Sequence, residues 1–151
     1  MVKATGNYVN SMMAILEAKR HGYGEGLMLD HEGYVCEGSG ENIFLARGGV
    51  LTTPPLGASI LAGITRELIF QLAEDKGLAI REERIAREML MFADELFMTG
   101  TAAEITPIRT VDGQAVGSGE PGPITRSLQE DFFGILTGER EDRHGWLTPV
   151  G

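Results

Sequence analysis

From Tyr8 to His21 the apolar side chains Tyr8, Met12, Ile15 and Leu16 recur at helical spacing among polar residues, and Gly22 follows as a stop. The pattern predicts an amphipathic first helix. The period then shortens to that of strands. GLMLDHEGYVCEG holds two short apolar runs about Asp30-His31-Glu32-Gly33, and NIFLARGGVLTTPP holds two more about Arg47-Gly48-Gly49. Both read as hairpins, so a four-strand antiparallel block is expected. After the Pro/Gly/Ser loop PPLGASILAG the helical period returns in GITRELIFQLAEDKG, where Ile64, Leu68, Ile69 and Leu72 form one face ending at Gly77. LAIREERI alternates as a strand, REMLMFAD reads as a short helix and ELFMTG as a further strand. ITPIRTVDGQAVG places a hairpin at Asp112-Gly113, and a last helix starts near Pro123 and stops at Gly138. The tail EREDRHGWLTPVG is polar, with Trp146 as an aromatic anchor, and is expected to wrap the surface.

Antiparallel hairpins interleaved with helices, without regular strand-helix alternation, predict an α+β fold or a mixed barrel-like sheet. A length of 151 residues suits one domain. A net charge of -9, with basic residues scattered among acidic ones, argues against a nucleic-acid surface, which must gather Lys and Arg against phosphates. Cys36 is the single cysteine, which excludes an intramolecular disulfide and any CxxC zinc or redox site, and makes a reducing cytoplasm the expected compartment. No apolar run approaches a membrane span and the N-terminus lacks signal-peptide regions, so a soluble, unexported protein is expected. His21, His31 and His144 lack metal-ligand spacing, no serine lies in a G-x-S-x-G setting, and Met12, Met13, Met89, Met91 and Met98 read as core fillers.

Three stretches carry candidate chemistry. In GASILAGITRE a small-residue loop delivers the chain to Gly63, Ile64 and Thr65 at a helix start, where unpaired amides and the helix dipole favour an anion. A helix start that merely caps itself through Thr65 and Glu67 is the alternative. In MTGTAAEITP, Thr99, Gly100, Thr101, Ala102 and Ala103 offer hydroxyls and amides in a turn at a strand end, which is either a nest for phosphate or carboxylate or an ordinary turn. In CEGSGENIF, Glu37 stands beside Gly38 and Gly40, with Glu41 and Asn42 beyond; glycines let a flat ligand approach the backbone, whereas a solvated hairpin glutamate is the commoner case. Together with the amine of Lys3, one acid and two anion-binding turns are the parts needed to hold pyridoxal phosphate. Its aldehyde requires a desolvated lysine, its pyridine nitrogen a carboxylate, and its phosphate an anion site.

KATGNY, EGSGENIF, GITRE, FMTGTAAEITPIRTVDG and RHGWL, in this order and spacing, resemble the C-terminal half of the branched-chain amino acid aminotransferases, fold-type IV pyridoxal-phosphate enzymes. The resemblance implies an α+β domain with a mainly antiparallel, barrel-like sheet surrounded by helices. It makes Lys3 the Schiff-base lysine and proton shuttle. Tyr8 would bond the cofactor's phenolic oxygen and Glu37 its pyridine nitrogen, while Leu61 packs on the ring. Ile64, Thr65 and Thr101 would hold the phosphate, and the amides of Thr101 and Ala102 would meet the substrate carboxylate. The implied reaction moves the amino group of Leu, Ile or Val to 2-oxoglutarate.

Chains of that family also carry an N-terminal domain that closes over the cofactor and supplies an arginine to the phosphate. Here only Met1 and Val2 precede the lysine. Residues 1–151 are therefore expected to be a single cofactor-binding domain without the small N-terminal one. Such a chain should fold, self-associate through uncovered apolar surface as a homo-oligomer, and have weak or no transaminase activity. D-amino acid aminotransferases and aminodeoxychorismate lyases share the lysine, glutamate and phosphate sites and remain alternatives, as does a catalytically inert folded fragment.

Overall fold

Ile43-Phe44-Leu45-Ala46 is a continuous apolar run, as expected of a strand covered on both faces, and the structure places it at the centre. β3 (Asn42–Arg47) is buried at every position but Arg47. In the computed structural model, which describes residues 3–150, β3 pairs with β4 (Val50–Thr53) on one side and β7 (Glu95–Gly100) on the other, both antiparallel. Phe44 and Phe97, opposite each other in that register, stack with ring centroids 5.1 Å apart.

The sheet continues outward to β8 (Glu104–Pro107), antiparallel to β7, and to β5 (Ala79–Glu82), parallel to β4. This parallel pair, the one among the described strands, follows from the crossover through α2 (Ile64–Asp75). On its other branch β2 (Tyr34–Gly38) lies between β1 (Leu27–Leu29) and β6 (Ile85–Ala86), and it meets β3 at one residue pair, Glu37 with Asn42. The eight strands thus form a branched sheet that diverges at Glu37–Asn42 and does not close as a barrel. A separate small hairpin of β9 (Thr110–Val111) and β10 (Gln114–Ala115) turns at Asp112 and Gly113, both with positive φ.

Helices α2 and α3 (Pro123–Leu136) cover one face of the sheet, burying Phe44, Leu51, Ile69, Leu72, Phe97, Leu128 and Phe132 together. The other face packs Val35, Ile43, Leu45, Leu90 and Leu96. The expected helix at REMLMFAD is a 3-10 turn, Arg87–Phe92, with only Leu90 buried.

Two predicted faces are rotated. The first helix, α1 (Tyr8–Arg20), has no fully buried residue; Ser11, Ala14, Ile15 and Ala18 turn inward, while Met12, Met13 and Leu16 are exposed. Met89 and Met91 are also exposed, so of the five methionines read as core fillers only Met98 is one. On α2 the buried line is Thr65, Arg66, Ile69, Leu72 and Ala73, whereas Ile64, at the helix start, is exposed. Arg66 enters the interior because its guanidinium donates to Pro54 O at 3.1 Å and to Glu82 at 2.5 Å and lies over the Phe70 ring. No helix among the described residues is long and apolar enough to cross a membrane.

Candidate active site

The divergence of β2 from β3 opens a cavity of about 280 Å³ between the strand ends, the loop before α2, the α2 N-terminus and the segment leading into α1. Its walls include Lys3, Tyr8, Ser11, Glu37, Glu41, Asn42, Leu61, Gly63, Ile64, Thr65, Thr99, Gly100 and Thr101. Seven of the eight residues singled out from the sequence line one space, although they lie up to 98 positions apart, from Lys3 to Thr101. Ala102 does not line it: it lies exposed in the turn between β7 and β8.

Glu37 is 8% exposed at the end of β2. Its Oε2 accepts hydrogen bonds from Asn42 Nδ2 at 3.1 Å and from the Leu61 amide at 2.9 Å. Burial pushes its carboxyl above the ordinary range, the Leu61 amide opposes that shift, and the nearby charge of Glu41 adds to it. Glu41, raised by its own burial, accepts the Gly40 amide at 3.0 Å. The cavity floor is therefore acidic.

The α2 N-terminus supplies the opposite polarity. Gly63 is the N-cap in extended conformation and, among the described residues, no side chain caps the helix, so Thr65 and Glu67 do not cap it and the first-turn amides are open to a ligand. Thr65 is buried there at 5% exposure. Gly63 has a steric requirement too: a Cβ would lie 2.3 Å from Asn42 Oδ1. Across the cavity, one residue before the end of β7, stands Thr99, whose hydroxyl is buried without a hydrogen-bond partner among the described residues. Thr101 and Lys3 are exposed and Tyr8 is half-buried, which leaves the side of the cavity nearest α1 open to water.

A family model for amino-transferase class IV matches residues 2–111. The chain belongs to the class IV aminotransferase family. It is 55% identical over 148 residues to a branched-chain-amino-acid aminotransferase of Salmonella typhimurium, an alignment covering 98% of this chain and 48% of that protein. Its fold superposes with a TM-score of 0.97 and 54% identity on the crystal structure of the Escherichia coli branched-chain amino acid aminotransferase, covering 99% of this chain and 49% of that one. At 43% identity and a TM-score of 0.95 it also matches the branched-chain amino acid aminotransferase of Thermobaculum terrenum in its PLP-form, the holo-form, covering 99% of this chain and 49% of that one. This class IV aminotransferase chain thus spans about half the length of the relatives it matches.

An amine, a phenol, a buried carboxylate and an uncapped helix N-terminus are the donor set a phosphorylated pyridine aldehyde requires, and the unpartnered Thr99 hydroxyl marks a wall short of one polar neighbour. The residues present fit pyridoxal phosphate. Sequence reasoning gave no role to Asn42. The signal was a polar residue heading the otherwise apolar strand NIFLA, where burial would force it to find partners.

Proposed function

We propose that this chain is the cofactor-binding domain of a branched-chain amino acid aminotransferase using pyridoxal 5'-phosphate. The observation that carries the reading is the convergence of Lys3, Glu37 and the open α2 N-terminus on one cavity, supported by relatives that share about half of its residues and bear that name. Bound there, the cofactor supplies an electron sink for the Cα–H bond of an amino acid and a temporary carrier for its amino group.

The side chains then divide the work. Lys3 Nζ would hold the cofactor, and its free amine would move a proton to and from the substrate Cα as general base and acid. The buried Glu37 carboxylate holds the proton on the pyridine nitrogen. A positive partner reverses the effect of burial and keeps the carboxylate ionised. Amides of Ile64 and Thr65 with the Thr101 hydroxyl bind the phosphate. Leu61 would pack on the ring and the Tyr8 hydroxyl would hydrogen-bond the phenolic oxygen. The amide of Thr101, and that of Ala102 beside it in the exposed β7–β8 turn, would receive the substrate carboxylate. The partners are small-molecule substrates, the amino acids Leu, Ile and Val and 2-oxo acids, in a homo-oligomeric, cytoplasmic protein. Among the described residues the side near Lys3 is open to water, and turnover would require that side to be covered.

The test is to load the chain with pyridoxal phosphate, add L-leucine or D-alanine, and follow the visible spectrum. Conversion to the amino form of the cofactor with L-leucine and not with D-alanine supports the reading. Preference for D-alanine would move the chain to the D-amino acid enzymes, and no conversion with either would favour an inert domain.

A further inference from the structure

Glu37, Asn42 and Thr99 form a row across three strands: Asn42 is registered opposite Glu37 on one side and opposite Thr99 on the other. Directly opposed residues project from the same face of a sheet, so the three side chains stand side by side beneath the cavity. The middle one makes contacts that bind the site together. One Nδ2 of Asn42 donates both to Glu37 Oε2 at 3.1 Å and to Leu61 O at 2.9 Å, and the Leu61 amide returns to the same Oε2 at 2.9 Å. The result is a closed circuit of three hydrogen bonds through a carboxylate, a carboxamide and one backbone residue.

The chemistry of the circuit selects asparagine. Both neighbours of Nδ2 are acceptors, so the carboxamide must present its nitrogen; the flipped amide would set its oxygen against two oxygens. Aspartate would bring a second negative charge against a carboxylate that burial already disfavours. On its other side the Asn42 oxygen lies against Gly63, where no Cβ could fit. Asn42 therefore touches the acid, the loop residue proposed to cover the ring, and the N-cap of the anion-binding helix.

We propose that Asn42 is a positioning residue that fixes the rotamer of Glu37, directing Oε1 into the cavity while Oε2 is held by the circuit, and that ties this acid to Leu61 and the α2 N-terminus as one rigid frame. The inference rests on the reading of Glu37 as the partner of a pyridine nitrogen. A glutamate without the circuit retains rotamer freedom about its side-chain bonds, and aiming it then costs affinity when the ligand binds. The other titratable groups around Glu37 are Glu41 on the following turn and Lys3 and Tyr8 across the cavity.

The test uses the full chain and the variants Asn42→Ala, Asn42→Asp, Glu37→Gln and the Glu37→Gln/Asn42→Ala pair. Without cofactor, carboxyl-detected NMR follows the titration of Glu37. Losing the Asn42 donor should raise its midpoint, and Asn42→Asp should raise it further. An unmoved midpoint in both overturns the proposal. If Asn42→Ala does not fold, the isosteric Asn42→Asp carries this measurement.

With pyridoxal 5'-phosphate as probe, Asn42→Ala should weaken binding about tenfold, the scale of one hydrogen bond to a charged group. In the Glu37→Gln background the same change should weaken it far less, because the two residues act as a unit. Equal losses in both backgrounds would reduce Asn42 to a packing residue and overturn the proposal. A midpoint that responds to Asn42 in a chain that never binds pyridoxal phosphate would instead sink the cofactor reading while leaving the coupling of Asn42 to Glu37 established.

Discussion

At the scale of single residues, two positions carry most of the argument. Gly63 joins the helix start to the strand floor, with space for a hydrogen and no more beside Asn42 Oδ1. Gly63→Ala must displace a buried, doubly engaged side chain. It should cost about 1–3 kcal/mol in denaturant melts and weaken pyridoxal phosphate binding; a fully tolerated alanine would show that the frame is loose. Glu37 makes a prediction of opposite sign. Its folded carboxyl titrates above its unfolded value because of burial. Folding therefore binds extra protons between the two values, and stability falls as pH rises through that window. In the cofactor-free chain Glu37→Gln should remove this loss, so thermal melts of the variant and parent should diverge in the variant's favour from mildly acidic to neutral pH. Parallel profiles would refute it. Glu37, Thr65 and Thr101 were legible as candidates, and the family resemblance implied their convergence; spacing alone could not supply it, since it holds no information on where β2 leaves β3. Asn42 was hidden inside an apolar pattern.

At the scale of elements, the hairpins were read correctly because their turns require particular backbones: Gly48 and Gly49 both have positive φ between β3 and β4. Faces were read less well. The apolar residues of α1 at helical spacing include Met12 and Leu16, yet its inward side is Ile15 with the small Ser11, Ala14 and Ala18, and Ala14 lies against Gly26 just before β1. Periodicity locates a helix, but which stripe is buried depends on what lies opposite. α3 depends on a contact that no local motif announces. Glu95, at the start of β7, accepts the Ile124 amide at 3.0 Å, the Thr125 amide at 2.8 Å and the Thr125 hydroxyl at 2.7 Å. It caps the helix from a strand nearly thirty positions away, where Gly122 leaves room for it. Glu95→Ala strands buried donors at a positive helix end and should cost about 2–4 kcal/mol in chemical denaturation. A loss below about 0.5 kcal/mol would place it with ordinary surface changes.

At the scale of the whole molecule, the tail closes the structure on the side away from the cavity. Trp146 packs near Phe132, donates Nε1 to Gln71 at 2.7 Å, and is stacked by His144, whose ring nitrogen lies 2.8 Å from Asp75. Asp142 holds the bend by accepting the Trp146 and Leu147 amides. The tail thus wraps the surface as its composition suggested, and Trp146→Ala should lower stability by about 2 kcal/mol without changing cofactor affinity; a change in affinity would reveal coupling between the two ends of the α2 face. The α+β class was legible from the order of hairpins and helices. The branch of the sheet was not, because one residue pair, Glu37–Asn42, decides it.

The claim on which the rest depends is that this cavity attaches pyridoxal phosphate through Lys3. The chain has three lysines, Lys3, Lys19 and Lys76. Borohydride reduction after incubation with the cofactor, followed by mass spectrometric mapping, locates the attachment. The account predicts a phosphopyridoxyl label on Lys3 that is lost in Lys3→Ala and diminished in Glu37→Gln; a label spread evenly over Lys3, Lys19 and Lys76, or unchanged by either substitution, would contradict it.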